Sequence, residues 1–145
     1  MNSNIDSEFN RSDLGDYRLN ARLNKVVFSA ATQPSASFPK MFCSNRELEG
    51  AYRFFSNDRV NWTDVLSSHQ KASFDRISCY KTVVVSHDST TFLFDNYVER
   101  EGLGRMVGLG SRHQGFFGHF SLAVSCSDNQ PLGLTAFSSM VRQSG

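Results

Sequence analysis

Val83-Val84-Val85-Ser86-His87-Asp88-Ser89-Thr90-Thr91 is a short apolar run that delivers one carboxylate, followed at once by hydroxyl residues. Branched side chains pack well on a pleated surface, so Lys81 to His87 reads as a strand, and Thr91 to Phe94 can continue it beyond a bend at Asp88. A carboxylate at the mouth of such a strand is where an α/β sheet holds a metal ion or a reacting group. An aspartate followed by serine and threonine is also a common way to start a turn. The residues on either side have to decide between the two.

Downstream, the period of the chain stays close to two. Phe117 to Ser125 and Leu132 to Ser138 read as two strands joined by the polar turn Ser127-Asp128-Asn129-Gln130-Pro131, and residues 95–115 form a long loop with Gly102, Gly104, Gly108, Gly110 and Gly115. Upstream the period is helical. Asp13 and Asp16 favour a helix start, and Leu19, Leu23, Val26 and Ala30 form an apolar stripe. Arg18, Arg22, Lys25 and Ser29 share another face of that helix, which ends before Gln33-Pro34. Residues 32–43 read as a loop. Ser44 and Glu47 then match a capping box, and Leu48, Ala51, Tyr52 and Phe55 mark the buried side of a second helix, with Arg46 and Arg53 opposite. A third helix starts at Asn61 and runs through Val65, Leu66, His69 and Ala72 toward Ile77. Trp62, Phe54 and Phe55 are expected in the core.

Composition narrows the class. The 145 residues include 13 phenylalanines and 39% hydrophobic residues, enough to build a core. No apolar run approaches the ~20 residues of a membrane span, and residues 1–8 have neither the basic start nor the apolar centre of a signal peptide. Cys43, Cys79 and Cys126 are far apart and odd in number, which suits reduced thiols and a cytoplasmic protein. The net charge of +1 conceals a segregation: from Tyr17 to Arg46 there are five basic residues and no acidic one. A solvated helix face is one explanation; a phosphate-binding surface is the other. The glycines of 102–110 do not form a phosphate-binding loop, and His69, His87, His113 and His119 lack metal-ligand spacing in sequence. His87 adjoins Asp88 and is a candidate to tune it; a structural role is the alternative.

Several blocks occur in a telling order: Phe9, then Leu14-Gly15-Asp16-Tyr17-Arg18 and Ala21-Arg22-Leu23, then Glu49-Gly50-Ala51-Tyr52-Arg53-Phe54, then Asp88-Ser89-Thr90-Thr91. Gly102-Leu103-Gly104, Gly115-Phe116-Phe117-Gly118-His119 and Gln130-Pro131-Leu132-Gly133-Leu134 complete the series. From about residue 9 to about residue 137 the chain resembles the bacterial cut-and-paste transposases of the insertion-sequence-four family, the Tn-five-like group. Ser89 stands where that family usually carries threonine, which keeps the hydroxyl. The resemblance implies an α+β chain: a helical domain over 1–78 that recognises transposon ends, then the opening strands of a ribonuclease-H-like catalytic domain over 79–145. Arg18, Arg22, Lys25, Lys40, Arg46 and Arg53 are the expected DNA-binding residues. The expected partner is the double-stranded DNA of the terminal inverted repeats, bound by a full-length protein that dimerises on DNA at the bacterial nucleoid.

By the same resemblance Asp88 is the first carboxylate of an Asp-Asp-Glu triad and a ligand for Mg2+ or Mn2+, and His119 lies near the site or supports it. Two such ions stabilise in-line displacement at phosphorus, and magnesium takes hard oxygen ligands. After Asp88 the acidic residues are Asp95, Glu99, Glu101 and Asp128, placed in the expected loop and turn rather than as triad partners. The chain is therefore expected to be an N-terminal fragment with an incomplete sheet, unable to cut DNA alone. A non-catalytic DNA-binding module and an inactive remnant stay open beside it.

Overall fold

The computed structural model describes residues 5–95, 98–106 and 113–141. It divides into two compact units, Met1–Ala72 and Ser73–Gly145. The first unit is helical, with α1 (Ile5–Glu8), α2 (Tyr17–Thr32), a 3-10 turn (Phe38–Met41), α3 (Asn45–Phe55) and the start of α4 (Trp62–Ile77). Local chemistry sets the ends of α2. The Asp16 carboxylate accepts the Arg18 amide at 2.9 Å, and the chain leaves the helix at Gln33, ahead of Pro34. At α3 the Ser44 hydroxyl accepts the Glu47 amide at 3.3 Å, while Glu47 reaches back one residue further than a capping box requires, to the Cys43 amide at 3.2 Å. The loop expected over 32–43 contains the 3-10 turn, with Pro39 in its first positions, where a missing N–H costs nothing.

The core of this unit is Leu14, Leu23 and Phe54, with Phe9, Leu19, Val27, Val60 and Val65 packed around it. Here α3 departs from its expected face. Ala51 and Phe54 are buried, whereas Tyr52 and Phe55 are 50% and 59% exposed. Small residues at 50 and 51 let α3 approach α2 closely, so the helix turns that side inward. Phe55 and Tyr52 instead meet Phe38 of the 3-10 turn, at 5.8 and 5.5 Å between ring centres. Trp62, expected in the core, is 52% exposed at the first residue of α4.

The second unit is an antiparallel sheet of β1 (Val83–Asp95), β2 (Gly104–Arg105), β3 (His113–Ser125) and β4 (Pro131–Met140). Central β3 pairs with β1 along one side, from Val83↔Ser125 to Asp95↔His113, and with β2 and β4 along the other. The turn between β3 and β4 closes through Ser125 and Gln130, and Asp128 accepts the Ser125 hydroxyl. Asn129 supplies the left-handed residue, φ 57°. Both hairpin strands run longer than expected. The long loop contains β2, and Gly108 and Gly110 lie outside the described residues. The last turn of α4 is tied to β4, where Arg76 donates through Nε to the Leu132 carbonyl at 2.6 Å.

Asp88 corrects the strand reading. No bend interrupts β1; its 13 residues run continuously, and Asp88 sits in the middle, opposite Phe120. A strand exposed along most of its length tolerates Ser86, Asp88, Ser89 and Thr90, because the ladder to β3 keeps its hydrogen bonds whatever the side chains are. Among the described residues β1 is an edge of the sheet and β3 is its centre.

Candidate nucleic-acid interface and the Asp88 strand

On α2, Arg18, Arg22 and Lys25 recur at i, i+4 and i+7 and so share one side of the helix. They are held differently. The Arg18 guanidinium, 76% exposed, folds back onto its own N-cap, 3.3 Å from the Asp16 carboxylate. The amide of Arg18, then its side chain, holds the Asp16 carboxyl below the usual aspartate range. Arg59, which sequence reasoning did not single out, joins the same corner: it donates to the Gly15 carbonyl at 3.4 Å and lies 3.9 Å from Asp16.

Arg22 crosses to α3. Its guanidinium lies over Gly50, and a Cβ built there would collide with it. Lys25 is exposed further along. Arg22 and Lys25 flank an open cleft of about 350 Å³ whose apolar wall includes Phe28, Met41 and Phe42. Lys40 is exposed on the 3-10 turn, and Arg46 and Arg53 are exposed seven residues apart on α3. Arg53 is 3.6 Å from Glu49, an exposed i, i+4 pair of small energetic weight. The arrangement leaves cations on α2, the turn and α3, with the acid-free stretch of sequence converted into surface. Nothing in sequence spacing pointed to the cleft, because its walls come from two helices and the turn between them.

In the second unit the Asp88 carboxylate is exposed and accepts the Ser89 amide at 2.8 Å. Strand alternation puts it on the face that carries Phe92, Phe116, Phe120 and Phe137. Ring centres there are 4.7 Å apart for Phe92 and Phe116 and 4.8 Å for Phe120 and Phe137. Gly118 makes this ladder possible: a Cβ would sit 2.8 Å from the Phe92 ring and 3.0 Å from that of Phe137. His87 and His119 lie on the opposite face, so neither is beside the Asp88 carboxylate.

No cluster of three or more His, Cys, Asp or Glu suited to a metal ion exists among the described residues. Asp88 alone does not fit a two-ion magnesium centre, which needs several carboxylates. A contact missed in sequence is Gln114, buried at the start of β3. Its Nε2 donates to the carbonyls of Asp95 (2.8 Å) and Val98 (2.6 Å), and its Oε1 accepts the Arg100 amide (3.0 Å). That clamp fixes the chain as it leaves β1.

Residues 1–60 match the family model described as transposase DNA-binding. No curated protein matches the chain. The matched segment contains Arg18, Arg22, Lys25, Lys40, Arg46 and Arg53. The match supports a transposase-related protein with DNA as its partner. No helix of the described residues is long and apolar enough to cross a membrane.

Proposed function

We propose that the chain is the end-binding portion of a cut-and-paste transposase of the insertion-sequence-four type, which grips terminal inverted repeats through α2, the 3-10 turn and α3. The observation that carries this reading is a coincidence of position: the segment matching transposase DNA-binding domains contains the acid-free basic window. Phosphate contacts release counterions, so affinity for end DNA falls steeply with salt. The test is an electrophoretic shift with terminal-repeat DNA across a salt series. An Arg18→Ala/Arg22→Ala double variant with unchanged affinity and salt slope refutes the assignment.

In the complete enzyme, a ribonuclease-H-like domain beginning near residue 79 cuts and joins strands with Mg2+ or Mn2+, and Asp88 supplies one carboxylate. The β1–β3–β4 antiparallel order, with a carboxylate midway along β1, supports that reading. The expected setting is a dimer assembled on DNA at the nucleoid. A second reading is a DNA-binding module without catalysis; among the described residues no group of three or more His, Cys, Asp or Glu gathers at Asp88 to hold a metal ion.

A further inference from the structure

We propose that His87 and His119 form a two-imidazole site for a divalent transition ion of the zinc class, on the sheet face opposite Asp88. The two residues are 32 positions apart in sequence, and β1–β3 pairing makes them diagonal neighbours: His87 is opposite Ser121, and His119 is opposite Ser89. Each ring is held at Nδ1 by the hydroxyl across the ladder, His87 by Ser121 at 2.9 Å and His119 by Ser89 at 2.7 Å. Both residues are exposed, and the Nε2 atoms make no hydrogen bond among the described residues. A ligating histidine is ordinarily held in this way, with its second nitrogen bonded to an oxygen that fixes the ring and sets the tautomer. With Nδ1–H donating to serine, the Nε2 lone pair is free for a metal.

The spacing fits. Two metal–nitrogen bonds of about 2.0–2.1 Å, extended back to the ring centres, place two imidazoles on one ion roughly 4.5–6.4 Å apart across ordinary ligand angles. The observed separation is 5.7 Å. The rings are parallel to within 7°, so capture takes a tilt of each Nε2 toward the other, which their exposure permits. Imidazole selects borderline ions such as Zn2+, Ni2+ or Cu2+ and not magnesium. No third His, Cys, Asp or Glu completes a closed site among the described residues, so water fills the remaining positions. The bound ion cross-links edge strand β1 to β3, and by mass action it stabilises the sheet. This inference does not depend on the transposase reading.

The experiment is titration of the purified chain with ZnCl2, followed by calorimetry and thermal denaturation. At ten times the dissociation constant the melting temperature should rise by about 5 °C or more. His87→Gln and His119→Gln should each weaken zinc binding at least ~10-fold and remove the shift, since a single imidazole loses the chelate. Cys43→Ser/Cys79→Ser/Cys126→Ser and His113→Gln should retain it, and MgCl2 should produce none. Circular dichroism of both glutamine variants should show the sheet intact, and X-ray absorption of the zinc complex should show two imidazole nitrogens with oxygen and no sulfur. Wild-type zinc affinity in either glutamine variant, a sulfur-ligated ion, or an equal shift with magnesium overturns the proposal.

Discussion

Gly50→Ala separates the fold of the helical unit from its proposed grip on DNA. Gly50 lies inside α3, where alanine is favoured by about 0.8–1.0 kcal/mol in helix propensity. The added Cβ would enter the space of the Arg22 guanidinium, the far end of a flexible side chain, and not of any backbone. Arg22 therefore moves and α3 does not. Losing the stacked guanidinium costs roughly 0.5 kcal/mol of packing, so the net change is a stabilisation of about 0.5 kcal/mol, or ~2–4 °C. DNA binding should change the other way. An arginine no longer held across α3 loses its phosphate contact, which lowers the salt slope by about 0.9 and the affinity on the order of three- to ten-fold. Urea denaturation measures the first effect, and shifts with end DNA at several salt concentrations measure the second. The same glycine substitution in an Arg22→Ala background should leave DNA binding unchanged, because the residue it displaces is already gone. A loss of stability above ~1 kcal/mol, or an equal loss of binding in both backgrounds, refutes the reasoning.

Gln114→Leu should destabilise the sheet unit by about 2–4 kcal/mol, since it strips partners from two carbonyls and one amide in a partly buried corner; hydrogen exchange at the Arg100 amide should rise sharply, and unchanged protection there would rule out the clamp. The Asp16 carboxyl is held low by Arg18, so its contribution to the N-terminus of α2 is complete above the ordinary aspartate value of about 3.9 and is lost as pH falls through the lower folded value; amide shifts of Arg18 followed below about pH 4 should show this, and Asp16→Asn should abolish it. The 145-residue chain should bind end DNA and fail to nick it with or without magnesium; nicking that disappears in Asp88→Ala would show that a complete site exists within the chain after all.

The elements that could be read from sequence are those whose cause is local. Asp16, Pro34 and Ser44 each set a helix end through a bond or a steric clash within four residues, and those ends fall where expected. The buried side of α3 could not be read in the same way. Leu48, Ala51, Tyr52, Phe54 and Phe55 spread over nearly half of that helix's circumference, and the choice among them is made by α2, which needs the small surface at Gly50 and Ala51. The polar break at residues 86–90 looked like a bend because a single strand cannot show that its partner continues past it. The cleft beside Arg22 and Lys25 and the Gln114 clamp likewise join residues distant in sequence.

Strand alternation has the further consequence that His87 and Asp88, neighbours in the chain, serve opposite faces of the sheet. The Asp88 face is apolar and aromatic, with Phe92, Phe116, Phe120 and Phe137 half-buried around a carboxylate that belongs to no cluster of three or more metal-ligating side chains among the described residues. The His87 face is polar near its middle, where two serines hold two imidazoles. A hard ion needs additional carboxylates on the first face; a borderline ion finds two nitrogens already placed on the second. Zinc and magnesium should therefore act on this chain independently. Occupancy of the imidazole pair should stiffen β1, the strand that carries Asp88, without touching the carboxylate itself.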